Sequence, residues 1–232
     1  MHEKFTGEKM KELFTKINIK PKDLMLYKIA FSHSSYTNEK KKKIDYERLE
    51  FLGDAVLELV VSEYLYISYK VKEGDLTKLR ASYVCEEACF AYAVGLSLSD
   101  YIKVGHGEEL VGGRYKKVIL ADIFEALLGA IYLDLGYETV KRVVLEVIVP
   151  YIENEQIVFF EDYKSVLQEA VQSDKRMLRY NLINESGPAH NKRFTVEVKI
   201  DDILYGVGNG KSKKDAEQEA AKVALSKLAK ID

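Results

Sequence analysis

The sequence contains few cysteines, little net charge and no long uninterrupted hydrophobic run. With only two cysteines, Cys85 and Cys89, the chain cannot be a small scaffold that depends on many disulfides. The most apolar run, VILADIFEALLGAIYL (118–133), contains two acids, which make it a poor membrane span. The first thirty residues carry too many charges for a signal peptide. We therefore expect a soluble, cytoplasmic protein.

The two cysteines are four residues apart, a spacing that predicts both on one face of a helix. A zinc half-site is one interpretation of such a pair. However, no histidine or second cysteine pair accompanies Cys85 and Cys89. The spacing therefore favours two buried thiols.

The chain is long enough for two domains, with 232 residues of which 47% are hydrophobic. Its net charge of −2 indicates no particular class of partner. Apolar residues recur at helical spacing through residues 1–150, which predicts an all-α domain, and we expect one apolar helix from Leu76 to Leu98. Pro150 and the polar segment YIENEQ after it predict where that domain ends.

After about Asp162 the pattern changes to helix, three short strands and helix. The strands are RYNLINE, RFTVEVKI and ILYGVG, which alternate in polarity or are rich in β-branched residues. Ser212, with Asp215 three residues later, is placed to cap the last helix. We predict an all-α N-terminal domain over residues 1–155, joined to a small α+β domain of order α-β-β-β-α over residues 160–230.

The stretch DYERLEFLGDAVLEL (45–59) collects acids on one side of a predicted helix. At about 100° per residue, four acids fall within an arc of about 80°: Glu47, Glu50, Asp54 and Glu58. The opposite face is apolar, with Leu49, Leu52, Val56, Leu59 and Val60. A solvated acidic face is one interpretation. Acids four residues apart repel each other by about 0.2–0.5 kcal/mol, however, and no lysine is interspersed among these.

A second helix, within VILADIFEALLGAIYL, is apolar nearly all round and carries only Asp122 and Glu125. Buried carboxylates need partners, and this helix supplies no cation. A buried salt bridge to a lysine or arginine from elsewhere in the chain, such as Arg80 or Arg114, is one solution. The favoured one is that the acids of both helices meet around a divalent metal. Oxygen ligands without histidine or cysteine indicate Mg²⁺, with Mn²⁺ as substitute, and such cages are typical of phosphodiester hydrolysis.

The segment ERLEFLGDAVL resembles the signature of ribonuclease III. Two further blocks follow in order, EGDLTKLRASYV (73–84) and GGRYKKVILADIFEALLGAIYLD (112–134), and both resemble the endonuclease domain of that family. The match extends from about Leu24 to the end of the chain.

This resemblance implies that four acids bind metal: Glu50, Asp54, Asp122 and Glu125. Of these, it implies a catalytic role for Asp54 and Glu125. Glu47 and Glu73 match two secondary acids of the active-site valley, although simple surface charge explains them equally well. Glu58 matches no acid of the family and is interpreted as surface charge.

The resemblance also implies how the protein works. Members act as homodimers with one site for each strand of a double-stranded RNA, leaving 5′-phosphates and short 3′ overhangs. The expected role is the processing of ribosomal and other structured RNA precursors. No contact with a membrane is expected.

The second domain resembles a double-stranded RNA-binding domain. On its first helix, Gln168, Glu169 and Gln172 suit the 2′-hydroxyls and base edges of a shallow minor groove. The loop GPAHNKRF (187–194), which contains His190, could reach a second minor groove. At the start of the last helix, where N–H groups already favour a phosphate, stand three lysines: Lys211, Lys213 and Lys214.

Two local patterns do not predict sites. GVGNGKS resembles a P-loop, but Tyr205 stands where the motif needs glycine, so its glycines are predicted to serve the turn before the last helix. His33 lies among hydroxyl residues, but no aspartate follows at a spacing typical of a hydrolase. We expect His33 to cap a helix.

The sequence thus predicts a metal-dependent endoribonuclease that cleaves double-stranded RNA. A protein that binds double-stranded RNA without cutting it is the alternative from another class. The intact set of acids argues against it. A metal-dependent DNA nuclease is a third possibility, which the glutamines and lysines of the second domain disfavour.

Overall fold

The computed structural model describes residues 10–41, 44–154, 159, 163–173, 175–188 and 192–228. The chain divides into two compact units, Met1–Phe160 and Glu161–Asp232. None of the described helices is both long enough and apolar enough to cross a membrane.

The described part of the first unit is helical, which confirms the predicted all-α fold. Its regular helices are α1 (residues 10–16), α2 (Leu24–Ala30), α3 (Ser34–Glu39), α4 (Glu47–Ser68), α5 (Glu73–Val84), α6 (Glu86–Gly95), α7 (His106–Leu110), α8 (Lys117–Leu135) and α9 (Tyr137–Ile152). Short 3₁₀ turns precede and follow α7, at Leu98–Asp100 and Gly113–Tyr115.

Helices α4 and α8 pack against each other at the centre of this unit, and two glycines set their separation. A Cβ atom on Gly53 would lie 1.8 Å from the backbone oxygen of Glu125. A Cβ atom on Gly129 would lie 2.2 Å from the backbone oxygen of Leu49. No side chain fits at either position, so the two helix backbones touch.

Burial along α8 agrees with the prediction, since its middle is buried nearly all round. On α4 the prediction for one residue is wrong. Leu59 was expected on the apolar face of the helix, but it is 56% exposed. The buried face of α4 contains Gly53, Leu57 and Val61. Leu59 lies beside this face and is exposed.

One expected helix of the first unit is also wrong. Cys85 is extended between α5 and α6, so the expected helix from Leu76 to Leu98 is two helices and the cysteines do not share one helix face. Pro150 lies in the last turn of α9, which ends at Ile152, and the first compact unit extends to Phe160. Buried thiols were correctly expected for Cys89, whereas Cys85 is half-buried.

The second unit confirms the predicted order α-β-β-β-α. Helix α10 (Tyr163–Ser173) precedes an antiparallel sheet of order β1-β2-β3, and α11 (Lys213–Leu228) follows it. The strands are β1 (Leu178–Ser186), β2 (Arg193–Ile200) and β3 (Ile203–Gly210). One face of the sheet, including Val196 and Val198, packs with the alanines of α11 to form the core.

The glycines of GVGNGKS were predicted to serve the turn before the last helix, and this prediction is wrong. Gly206, Gly208 and Gly210 lie in β3. A Cβ atom on Gly208 would lie 2.2 Å from the backbone nitrogen of Ala220. These glycines therefore allow α11 to approach the strand closely. The predicted cap of α11 is confirmed. The Asp215 N–H donates to the Ser212 Oγ, and the Ser212 N–H donates to the Asp215 carboxylate, both over 3.1 Å.

Candidate active site

Three carboxylates from two helices meet where α4 and α8 touch. Glu50 comes from α4, and Asp122 and Glu125 come from α8. Each offers an oxygen atom, and these three oxygens lie within 4.8 Å of one another. Each of the three residues is partly buried. The contacts of Gly53 and Gly129 hold the two helices close enough for this approach.

Burial and mutual repulsion make these acids hard to ionise together. Burial, then the charges of Asp122, Glu47 and Asp54, raise the pKa of Glu50 to about 7. Burial, then the charge of Asp54, raise the pKa of Glu125 to about 8. Burial also raises the pKa of Asp122, against the lowering effects of a hydrogen bond from Tyr46 and of nearby His33.

No lysine or arginine among the described residues forms an ion pair with this group. Arg114 pairs with Glu109 at 2.8 Å, and Arg80 donates to the Ser62 hydroxyl at 3.2 Å. The alternative of a buried salt bridge to either arginine is therefore wrong.

The donor set fits a divalent metal ion that prefers oxygen. Three carboxylates converge, their charges repel one another, and no lysine or arginine of the described residues forms an ion pair with them. Such a set suits Mg²⁺ or Mn²⁺ better than zinc, because within the described part of the chain no histidine nitrogen or cysteine sulfur completes it.

The remaining acids predicted at the site lie outside this group of three. Asp54 is exposed on α4, one helical turn after Glu50, and its charge contributes to the raised pKa of Glu125. Glu47 is exposed in the first turn of α4, and its charge acts on Glu50. Glu73, the first residue of α5, is exposed and accepts a hydrogen bond from Thr77 over 2.9 Å. Glu58 is exposed.

Two neutral side chains contact the acids of α8, and sequence reasoning assigned neither to the site. The Tyr46 hydroxyl donates to the Asp122 Oδ2 over 2.8 Å. The Cys89 thiol donates to the Glu125 Oε1 over 3.5 Å. Tyr46 stands inside the stretch DYERLEF, but nothing in its spacing indicates Asp122, which is 76 residues away.

His33 also lies next to the site. Its ring centroid is 5.7 Å from that of Tyr46, and its charge would lower the pKa of Asp122. The predicted capping role is confirmed, because the His33 Nδ1 accepts a hydrogen bond from the Ser35 N–H at the start of α3.

In the second unit, the residues predicted to bind RNA lie on the surface where they can be described. Gln168, Glu169 and Gln172 are exposed on α10. Exposed lysines flank the start of α11: Lys211, Lys213 and Lys214. His190 lies outside the described residues.

Two protein families match the chain. The family described as Ribonuclease-III-like matches residues 23–152, and the family described as Double-stranded RNA binding motif matches residues 163–228. The chain is 48% identical to Ribonuclease 3 of Aster yellows witches'-broom phytoplasma over 219 residues, which cover 94% of this chain and 91% of that protein. It is 48% identical to Ribonuclease 3 of Bacillus cereus (strain G9842) over 225 residues, covering 95% and 92%.

Solved structures resemble the first unit. A nuclease domain of ribonuclease III from Campylobacter jejuni, described for flexibility in a region involved in dimer formation, matches with a TM-score of 0.57 and 43% identity. The match covers 62% of this chain and 97% of that one. A second structure of the same domain matches at 42% identity and the same TM-score.

Proposed function

The chain belongs to the ribonuclease III family and is an endoribonuclease for double-stranded RNA, and we propose that it cuts by metal-assisted hydrolysis at the acids of α4 and α8. One observation carries this proposal. Glu50, Asp122 and Glu125 converge without a cationic partner among the described residues, at a real electrostatic cost. A structural role alone gives no reason to accept that cost.

Glu50, Asp122 and Glu125 would hold the metal, with Asp54 as a fourth ligand from the adjacent exposed turn of α4. The ion we propose is Mg²⁺, with Mn²⁺ as substitute. When bound, it would activate water for attack on the phosphodiester and stabilise the leaving oxygen. Asp54 and Glu125 are the acids we propose as catalytic.

The residues of the chain have their own tasks in this scheme. The three converging carboxylates would supply the negative charge that holds a divalent ion beside an anionic substrate. Asp54, being exposed, can face both the ion and the RNA. We propose Glu47 and Glu73 as secondary acids of the active-site valley, since both are exposed on the first turns of their helices.

In the second unit, we propose that exposed amides and lysines hold the duplex. Gln168, Glu169 and Gln172 on α10 would meet a minor groove, and His190 a second one. Lys211, Lys213 and Lys214 would meet phosphates at the positive end of α11.

We further propose the arrangement expected of this family. The protein works as a cytoplasmic homodimer, with the endonuclease domain at 1–155 and the RNA-binding domain at 160–230. One site cuts each strand, leaving 5′-phosphates and short 3′ overhangs. The substrates include precursors of ribosomal and other structured RNAs.

The test is Glu125→Gln, which keeps the size of the side chain and removes its charge. Cleavage of a perfect RNA duplex in Mg²⁺ should fall by about a hundredfold or more, because transition-state stabilisation by the metal is lost. RNA binding in Ca²⁺ should be retained, because most of the phosphate contacts that we propose lie in the second unit. Glu58→Gln, an exposed acid on the same helix, is the control and should cleave like wild type. Normal cleavage by Glu125→Gln would refute the proposal.

A further inference from the structure

Both acids of α8 receive a hydrogen bond from an uncharged side chain. The Tyr46 hydroxyl lies 2.8 Å from the Asp122 Oδ2, and the Cys89 sulfur lies 3.5 Å from the Glu125 Oε1. The two donors come from different places, since Tyr46 directly precedes α4 and Cys89 lies in α6. Each bond engages one carboxylate oxygen, which leaves the other oxygen for a metal.

The neutral character of these donors has a physical consequence. A lysine or arginine would orient a carboxylate equally well, but its charge would cancel the attraction for a divalent ion. A phenol or a thiol restricts the rotation of the carboxylate and leaves its charge in place. Side chains that orient metal ligands in this way raise metal affinity without touching the ion.

Tyr46 is itself held firmly. It is 4% exposed, its N–H donates to the Ser32 backbone oxygen over 3.2 Å, and its ring packs against His33. His33 in turn is fixed by its cap of α3. The hydroxyl therefore points at Asp122 from a rigid support. Cys89 is fully buried, so its thiol also has a fixed environment.

We propose that Tyr46 and Cys89 are positioning residues that hold the Asp122 and Glu125 carboxylates ready for a divalent metal ion. This inference rests on the proposed function, because it assigns a task only if these acids bind metal. Tyr46 has the larger effect of the two, since a hydroxyl at 2.8 Å is a stronger donor than a thiol at 3.5 Å.

The chain offers a matched control for Tyr46. Tyr27 is fully buried, and its hydroxyl donates to the Asp134 Oδ2 over 2.9 Å. Asp134 also lies on α8, but twelve residues after Asp122, which corresponds to about 18 Å along a helix. Tyr46→Phe and Tyr27→Phe thus remove the same kind of hydrogen bond from the same helix, one at the acidic site and one away from it.

The experiment compares these two variants with wild type in the full-length protein. The first readout is the melting temperature without RNA, in EDTA and across a series of Mg²⁺ concentrations, which yields the Mg²⁺ affinity. For Tyr46→Phe we expect a Mg²⁺ affinity that is about tenfold to a hundredfold weaker. For Tyr27→Phe we expect a lower melting temperature in EDTA and an unchanged Mg²⁺ affinity.

The second readout separates positioning from a general defect. Tyr46→Phe should need about tenfold more Mg²⁺ for half-maximal cleavage, and excess Mg²⁺ should restore most of the rate. Its affinity for duplex RNA in Ca²⁺ should equal that of wild type. Cys89→Ala should weaken Mg²⁺ binding more than Cys89→Ser, since serine keeps a donor at this position.

Three outcomes overturn the proposal or its basis. Equal Mg²⁺ affinity in wild type and Tyr46→Phe would show that the hydroxyl does not position Asp122. An equal reduction of Mg²⁺ affinity in Tyr46→Phe and Tyr27→Phe would show a general structural effect. A wild-type melting temperature that does not respond to Mg²⁺ would instead overturn the proposed metal site, and this inference with it.

Discussion

Glu125 is subject to opposing electrostatic effects. Burial and the charge of Asp54 favour its protonated form, whereas the hydrogen bond from Cys89 favours the carboxylate. The first two effects dominate, so the pKa rises from 4.5 to about 8. The folded protein therefore binds this proton more tightly than the unfolded chain does. Without metal, the free energy of unfolding should fall as the pH rises between these two values.

The raised pKa of Glu125 predicts how the melting temperature of Glu125→Gln compares with that of wild type without metal. Near pH 9 in EDTA, wild type carries an unfavourable buried charge that the variant lacks, so the variant should melt at the same temperature or a few degrees higher. Near pH 5 the wild-type side chain is protonated, and the two melting temperatures should converge. Thermal melts at both pH values provide the measurement. A variant that melts far below wild type near pH 9 would mean that a cation had been left without its partner.

The contribution of Lys213 and Lys214 to RNA binding can be measured from the salt dependence of the affinity. Both are exposed in the first turn of α11, where the helix end favours a phosphate. The double change to alanine should weaken binding to all duplex RNAs alike. It should also reduce the slope of log affinity against log salt by about one unit for each phosphate that the protein no longer neutralises.

Lys199→Ala is the control for this experiment. Lys199 pairs with Glu197 at 2.7 Å on β2, where it alternates with the buried Val198 and Ile200. It therefore lies on the sheet face away from the core and α11. Its removal should leave the salt slope unchanged. A double lysine variant with the wild-type slope would mean that Lys213 and Lys214 face only solvent.

At the closest contacts between elements, three glycines serve the same purpose in both units, which is to let two backbones touch. Gly53 and Gly129 allow this between α4 and α8, and Gly208 allows it between β3 and α11. In the first unit the contact also decides the chemistry. Gly53 contacts the backbone oxygen of Glu125 itself, so any change in the helix crossing would also move an acid of the site.

Gly53→Ala should therefore disturb stability and the site together. The added methyl group would lie 1.8 Å from a backbone oxygen, which cannot rotate away. Overpacking costs about 1–3 kcal/mol, and we expect the upper part of that range, with cleavage reduced by about a hundredfold or more. Gly74→Ala is the control, because its added Cβ in α5 would meet no atom of the described residues within 4 Å, apart from its chain neighbours and the backbone of its own helix.

The control should be neutral or stabilising, by up to about 1 kcal/mol, since alanine favours helix over glycine. Denaturant unfolding and cleavage of duplex RNA measure both effects. A Gly53→Ala protein with wild-type stability and activity would show that the two helices can separate without moving the acids.

For the whole molecule, we expect the first unit to carry the chemistry and the second to bind RNA. The converging acids lie in the first unit, and the match to a double-stranded RNA binding motif covers the second. The similar chain from Campylobacter jejuni is a nuclease domain alone, which shows that a relative of the first unit folds by itself.

A protein that ends near Glu155 should therefore keep its chemistry and bind RNA more weakly. We expect it to cleave duplex RNA in Mg²⁺ at low salt and to fail at salt concentrations where the full chain still works, because it neutralises fewer phosphates. Cleavage at a series of salt concentrations is the measurement. A folded truncated protein that cleaves at no salt concentration would contradict the assignment of chemistry to the first unit.

The amino-acid sequence was sufficient to assign the class of each unit and to identify the acids worth testing. Helical periodicity and strand alternation reflect which face of an element is buried, so the all-α and α-β-β-β-α patterns could be read directly. The apolar surroundings of Asp122 and Glu125 likewise required a partner for buried charge. Local rules also sufficed for the caps at His33 and Ser212.

Which groups meet depends on the packing of the helices. The packing brings Glu50, Asp122 and Glu125 within 4.8 Å of one another, keeps Asp54 close enough for its charge to act on Glu125, and leaves Leu59 at the surface. It also brings Tyr46 to Asp122 across 76 residues and Cys89 to Glu125 across 36. Periodicity gives the face of a residue but not its neighbour, because the neighbour depends on where two helices cross. In this protein the crossing is set by the backbone contacts of Gly53 and Gly129, which no local pattern encodes.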